Sequence, residues 1–361
     1  MPIEKHETRS RVSRFADARS RRCNRRTAYR ASPCRAFCVV HVLALPFVVL
    51  GGCKEQSEQR AGVAGKASAK PVVVCTTTMI SDIGKHVGGD RVQVVGIMQP
   101  GMDPHIYEAT PDDVIWFKKA DLVLYNGLHL EGRILDMIEN AGATAVALAE
   151  DPRIKLRGKA GQEGAPDPHC WWNARYFKVY VERARDALIR IDPAGAETYR
   201  EHAASFLAEL DEADEKVRRA ITQIPQMQRV LVTSHDAFFY YGEAYGLTVD
   251  AVLGISTEAE VRALRAAELA RLVVDRKVPA VFHETSVSAA LNQMIDRVVQ
   301  IASKQGHTVT IGSRPLYSDS LGAPGTPSGT YVGALTENTR IIVEALSGRA
   351  LDDTQGKPEG E

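Results

Sequence analysis

Two copies of the tripeptide Asp-Pro-His, ending at His105 and His169, are the residues of this chain best suited to chemistry. Each proline fixes its own φ and restricts the residue before it, so each histidine leaves a stiff, non-helical turn in few directions. A neutral imidazole is the commonest metal-binding side chain, and a nearby carboxylate can hold its second nitrogen. Asp-Pro is also ordinary turn chemistry, so one copy alone would indicate a surface turn. The pair, together with the partners described next, favours a metal site.

Two further candidate ligands follow apolar, strand-like runs in the second half of the chain. His235 lies two positions after the run at 229–233, and Asp319 lies in the polar loop after the run at 308–311. Ligands of open α/β sheets bind beyond the carboxyl ends of strands, so both positions suit a site. Three imidazoles and one carboxylate suit zinc or manganese, and the missing thiolate pair argues against a zinc ribbon or an iron–sulfur cluster. The predicted ligands are His105, His169, His235 and Asp319.

The elements that would position these ligands alternate between strands and helices. The run at 72–76 is short and β-branched, residues 80–86 have a helical pattern, and 91–97 is again strand-like. This order at close spacing predicts parallel βαβ units rather than a sandwich. The alternation resumes at 229, so we expect an α/β fold with two lobes. Each lobe would contain a mainly parallel sheet flanked by helices, and an ion bound by two ligands from each lobe would lie in the cleft between them.

A long helical region separates the two predicted lobes. It runs from about Asn173 to Ile224 and is broken at Asp192-Pro193. Its second part has apolar residues at a spacing of three and four over about six turns, which exceeds the crossover helix of one lobe. We therefore predict that residues 193–225 form one rigid helix that joins the lobes.

The first 52 residues resemble an export signal. Residues 1–35 hold eleven basic side chains against three acidic ones, a net charge of +8, and the chain as a whole is neutral. The apolar run that follows, at 36–50, is too short and too interrupted for a transmembrane helix. It leads into the tetrapeptide Leu50-Gly51-Gly52-Cys53. This tetrapeptide resembles a bacterial lipobox, in which the cysteine is lipidated and becomes the mature N-terminus. A noncleaved anchor helix is the alternative to a lipobox. Both interpretations predict an exported protein that is tethered to a membrane.

The predicted organisation of the chain has six parts. They are a signal peptide with lipobox (1–52), a flexible tether (53–70), an N-terminal metal-binding lobe (71–192), the linking helix (193–225), a C-terminal metal-binding lobe (226–347) and a disordered tail (348–361).

The chain resembles the substrate-binding lipoproteins of bacterial zinc/manganese ABC importers, the cluster A-I binding proteins. The matching stretches are 101–111, 125–131, 167–171, 233–238 and 316–322, and they occur in the order of the family. The resemblance implies two α/β lobes joined by one long helix, with metal ligands at His105, His169, His235 and Asp319. It also implies an exported protein, periplasmic or on the cell surface, that delivers its ion to a membrane permease and its ATPase. We expect a monomer that binds one ion per chain and no nucleic acid.

Departures from the family pattern bear on the choice of metal. Zinc-uptake members often carry a long loop rich in histidine and acids before the second ligand, and here that loop has neither. This favours the manganese or mixed-metal branch. Some manganese members have Glu where this chain has His235, which favours zinc, as does the affinity of neutral nitrogen ligands for zinc over manganese.

Two other functions use related features. A zinc hydrolase would need an open coordination position and a general base, for which Glu108 and Glu284 are the candidates. Four protein ligands describe a closed site instead, so we expect no enzyme. A surface adhesin is the other alternative, because some family members have been described as adhesins, but the sequence offers no repeat or stalk. A dinucleotide-binding fold is disfavoured since no strand is followed by a Gly-x-Gly-x-x-Gly turn.

Overall fold

The computed structural model describes residues 69–157, 166–258 and 264–351. The predicted signal peptide, the lipidation site Cys53 and the tether as far as residue 68 lie outside the described residues, as do residues 352–361 of the predicted tail. Residues 348–351 are described, and Leu351 packs against the main hydrophobic core rather than leaving it.

The first sheet is parallel and has the strand order β2-β1-β3-β4. Its strands are β1 (Val72–Cys75), β2 (Gln93–Gly96), β3 (Leu122–Tyr125) and β4 (Thr144–Ala147). Successive side chains of β1 point to opposite faces: Val73 and Cys75 join the main core, and Val74 joins a second cluster with Phe117. Both faces are therefore covered, as a parallel sheet requires.

Three helices flank this sheet: α1 (Thr78–Gly88), α2 (Pro111–Lys119) and α3 (Leu135–Glu139). Helix α2 begins at a capping box. The Thr110 hydroxyl accepts the Asp113 main-chain N–H, the Asp113 carboxylate accepts the Thr110 N–H, and Pro111 occupies the first turn. This reciprocal capping satisfies N–H groups that the helix itself leaves unpaired.

Two long helices follow: α4 (Ala174–Ile191) and α5 (Ala196–Thr222). The predicted break between them is present. The Asp192 carboxylate accepts hydrogen bonds from Arg91 and from the Tyr199 hydroxyl, at 2.8 and 2.7 Å, which fixes the turn. Helix α5 has 27 residues and packs against α1 and α4 of the first lobe. It also packs against α6 (Phe239–Tyr245) and α9 (Tyr331–Ser347) of the second.

The second lobe contains two pairs of parallel strands. They are β5 (Val230–Thr233) with β6 (Thr248–Ala251), and β7 (Ala280–Val281) with β8 (Thr310–Ile311). The main-chain N–H of Phe282 donates to Val232 O at 2.9 Å, which places β7 beside β5. The resulting order β6-β5-β7-β8 repeats that of the first sheet. Helices α7 (Arg265–Asp275) and α8 (Ala289–Lys304) pack on one another in this lobe.

One cluster of buried side chains runs from the first sheet through α4 and α5 into the second lobe, so the lobes share a core. The predicted class is confirmed: an α/β fold with two lobes, parallel sheets flanked by helices, and one long helix that contacts both. Among the described residues, none of the helices combines the length and the apolar character that a bilayer span needs.

Candidate metal centre

The structure brings the four predicted ligands together. One ligand atom from each of His105, His169, His235 and Asp319 lies within 4.8 Å of the corresponding atom of every other. All four residues are buried, with His105 the most exposed at 6%. The order of elements explains this convergence, since His105 follows β2, His235 follows β5 and Asp319 follows β8, so each lies beyond the carboxyl end of a parallel strand.

The ligand atoms face one another across the interlobe cleft. The Nε2 atoms of His105 and His169 are 3.2 Å apart. The Asp319 carboxylate lies between the lobes, with Oδ1 3.4 Å from His169 Nε2 and Oδ2 3.1 Å from His235 Nε2. Both carboxylate oxygens are buried and accept no hydrogen bond from any described residue, so the two nitrogens approach them without hydrogen-bond geometry. A buried carboxylate normally has donors, and a cation among the four atoms would supply its missing partner.

Two carboxylates hold the far sides of two imidazoles. Asp167 Oδ1 lies 2.8 Å from His169 Nδ1, and Glu284 Oε2 lies 2.5 Å from His235 Nδ1. Each carboxylate accepts a hydrogen bond from the Nδ1–H group, and this leaves the lone pair of Nε2 directed at the centre of the site. Sequence reasoning anticipated this role for the aspartate of the Asp-Pro-His turn and left Glu284 undecided.

The first Asp-Pro-His turn differs from the second. Asp103 Oδ1 accepts the main-chain N–H of His105 at 2.9 Å, just as Asp167 Oδ1 accepts that of His169 at 3.0 Å. No described carboxylate forms a hydrogen bond with the ring of His105, and the ring's Nε2 faces His169 Nε2. His105 is thus fixed through its backbone, and its ring is the least restrained of the three.

The electrostatics of the site follow from burial and from these carboxylates. Burial, which disfavours the imidazolium, lowers the pKa of His105 to about 3. Burial also opposes charge on His169, but the carboxylates of Asp167 and Asp319 raise its pKa to about 9. Against the effect of burial, the charge of His235 holds the pKa of Asp319 well below its usual range. The site therefore presents an ionised carboxylate that attracts positive charge.

Two other histidines and a cysteine, which could also bind a metal ion, lie apart from the cluster. His129 is exposed, with a left-handed φ of 63°, and borders a cavity of about 420 Å³ that reaches His105. The ring of His283 bonds to Asp296 at 3.0 Å. Cys170 is buried with a free thiol that lies 3.8 Å from the carbonyl oxygen of Asp167. None of these three belongs to the group of convergent ligand atoms that the described residues form.

Neither carboxylate suggested as a hydrolytic base is free for that role. Glu284 binds both the ring and the main-chain N–H of His235. The Glu108 side chain is 83% exposed and pairs with Arg133 at 3.1 Å. Three nitrogens and a carboxylate form a complete set for a divalent transition ion.

Sequence reasoning missed two residues that support the site. Ser286 Oγ accepts the main-chain N–H of Asp319 at 3.0 Å. Arg157 lies behind the site, donates to Asp236 and approaches Asp167 Oδ2 at 3.5 Å. A single serine in a turn and an arginine in a polar loop carry no pattern that would have identified them.

Comparisons with known proteins point to one family. The family model of ZnuA, zinc-uptake complex component A, periplasmic, matches residues 73–345. The zinc-binding protein TroA of Treponema pallidum (strain Nichols) is 37% identical over 282 residues, which cover 78% of this chain and 90% of TroA. The manganese-binding lipoprotein MntA of Bacillus subtilis (strain 168) is 38% identical over 301 residues, covering 82% of this chain and 95% of MntA.

The fold is also similar to a solved structure. The periplasmic zinc binding protein TroA from Treponema pallidum superposes with a TM-score of 0.73 and 37% sequence identity, covering 77% of this chain and 100% of that one. The resemblance found in the sequence motifs is thereby confirmed. Since the family match spans most of the chain and these relatives are covered almost end to end, the chain belongs to the ZnuA family of periplasmic metal-uptake components.

Proposed function

We propose that this protein is the extracytoplasmic substrate-binding component of an ABC importer. It captures one divalent transition metal ion per chain, zinc or manganese, in the cleft between its lobes and delivers it to a membrane permease driven by an ATPase. The observation that supports this most directly is the buried Asp319 carboxylate, which lies 3.1 to 3.4 Å from two imidazole nitrogens and accepts no hydrogen bond from the described residues.

In this proposal His105, His169, His235 and Asp319 are the ligands. Two come from each lobe, so a bound ion would connect the lobes. Asp167 and Glu284 orient two of the imidazoles through hydrogen bonds of 2.8 and 2.5 Å, which favours tight binding.

The names of relatives do not separate the two metals. TroA is called zinc-binding and MntA manganese-binding, and they are 37% and 38% identical to this chain. The donor set is more informative. Neutral imidazoles bind zinc more strongly than manganese, so we propose that zinc has the higher affinity in solution.

The route to the membrane rests on the N-terminal sequence. We propose that residues 1–52 are an export signal and that Cys53 is lipidated, with 53–70 as the tether of a monomeric protein that is periplasmic or on the cell surface. The net charge of +8 over residues 1–35, followed by an apolar run and a lipobox-like tetrapeptide, supports this assignment.

Calorimetry tests the function. A soluble form that begins at Lys54 is stripped with chelator and titrated in parallel with zinc and manganese, and thermal unfolding is followed alongside. Saturation at one ion per chain with a clear rise in melting temperature is expected, because an ion held by the native state alone stabilises it. Absence of heat and of a thermal shift with both ions would overturn the proposal.

A further inference from the structure

The peptide group between Ser318 and Asp319 is held from both lobes. Its carbonyl, Ser318 O, accepts the indole N–H of Trp172 at 2.7 Å and that of Trp171 at 3.2 Å. Its N–H, which belongs to Asp319, donates to Ser286 Oγ at 3.0 Å. A peptide group is planar, so these three hydrogen bonds fix the orientation from which the Asp319 side chain leaves the backbone.

The two indoles belong to the segment that carries His169. A 3₁₀ turn, Cys170–Trp172, follows this histidine directly, and the rings of His169 and Trp171 meet edge to face with centroids 5.1 Å apart. One short, rigid turn of the first lobe therefore presents one proposed ligand and grips the backbone of another that comes from the second lobe.

Both indoles are locked in place by packing. Trp171 and Trp172 are 1% and 0% exposed. The ring of Trp172 stacks between Phe238 and Tyr331, at centroid distances of 5.7 and 6.0 Å, and the Tyr331 hydroxyl donates to Trp171 O. An indole has a single polar atom, a donor, so the direction of each ring decides which acceptor it finds. Both find the same carbonyl, next to the one anionic ligand.

We propose that Trp171 and Trp172 are positioning residues that fix Asp319 against His169 before an ion arrives. The inference rests on the proposed function, since it takes these residues as ligands. The 3.4 Å between His169 Nε2 and Asp319 Oδ1 is then set by the protein, and the pair forms a preorganised half of the site. Preorganisation strengthens binding by removing the cost of ordering the ligands, and it acts mainly on the dissociation rate.

Deleting one N–H tests this without opening a cavity. In the full chain, Trp172 is replaced by its benzothienyl analogue, in which sulfur takes the place of the indole N–H in a ring of similar shape. Ser286→Ala removes the other hold on the same peptide group. The matched control is the same analogue at Trp116, a partly buried ring stacked under Lys119. Zinc affinity and dissociation rate are measured by competition with a chromogenic chelator, and amide exchange at Asp319 is measured on metal-free protein.

The analogue at 172 and Ser286→Ala should each weaken zinc binding about five- to tenfold, mostly through faster dissociation, as expected for loss of one hydrogen bond. In the double variant, the fold loss of zinc affinity should be smaller than the product of the two separate losses, because both changes act on one peptide group. Exchange of the Asp319 amide should rise about fivefold in the metal-free variants. The control at Trp116 should change none of these values.

One result would overturn the inference, and a second would overturn the proposed function instead. If the protein binds zinc and both variants bind it with unchanged affinity and unchanged exchange at Asp319, the indoles only pack, and the proposed function stands. If the unmodified protein binds neither zinc nor manganese, the proposed function fails. Amide exchange at Asp319, compared between the metal-free variants and the unmodified protein, then still decides whether the tryptophans position that residue. Equal exchange rates would reject the inference.

Discussion

Glu284 holds His235 at two points: its carboxylate accepts the main-chain N–H at 2.8 Å and lies 2.5 Å from the ring Nδ1. Asp167 does the same for His169 in the other lobe, at 3.0 and 2.8 Å. Two lobes with the same strand order thus use the same device to direct an imidazole at a shared centre. Position and tautomer of both rings are fixed together.

Substituting Glu284 should weaken metal binding without removing a ligand. Glu284→Ala leaves the ring of His235 free to turn, and loss of such a supporting group costs about 10- to 100-fold in affinity. The matched control is Glu108→Ala, at an exposed carboxylate. Competition with a chelator measures both variants, and equal affinity in the two would contradict this role for Glu284.

Two histidines near the cleft should behave differently. His169→Ala removes a proposed ligand and should abolish tight zinc binding, whereas His129→Ala changes an exposed residue outside the cluster and should leave binding close to that of the unsubstituted protein. Circular dichroism checks that both variants fold, and calorimetry measures binding. Retained affinity in His169→Ala would mean that the site is assigned wrongly.

Metal binding should release protons at neutral pH. In the metal-free site the pKa of His169 is raised to about 9, so this ring is protonated at pH 7 and an entering cation must displace the proton. Affinity should therefore rise with pH until about 9 is reached. Titration in buffers of different ionisation enthalpy counts the released protons. Heats that are the same in every buffer would contradict the prediction.

Helix capping in the first lobe should affect stability but not the site. Thr110→Ala removes the hydroxyl that accepts the Asp113 N–H and should lower the free energy of unfolding by about 1 kcal/mol. Urea unfolding of the metal-free protein measures this loss. Zinc affinity should remain that of the unsubstituted protein, and a parallel fall in affinity would show that α2 helps to shape the site.

The fold was predictable wherever local chemistry determined it. The start of α2 follows from Thr110 and Pro111, and the break before α5 from Asp192-Pro193, because capping and proline geometry act within a few residues. Strands β7 and β8 are only two residues long. The apolar run at 308–311 indicated where β8 lies but not where it begins and ends.

The four proposed ligands could be selected from sequence because each follows a strand or a repeated turn. The contacts that support them could not. Trp172 and Ser318 are separated by 146 positions in the chain, and no spacing rule relates an indole to a particular carbonyl. Both tryptophans are large and apolar, which favours packing inside the protein, but only the assembled lobes reveal where their N–H groups point.

The most direct test of the metal centre is anomalous diffraction at the zinc absorption edge from crystals of the zinc-loaded protein. A single strong peak is predicted in the interlobe cleft, about 2.0 to 2.2 Å from the Nε2 atoms of His105, His169 and His235 and from a carboxylate oxygen of Asp319. A peak elsewhere on the chain, or an empty cleft in crystals that contain stoichiometric zinc, would contradict the assignment of these four residues.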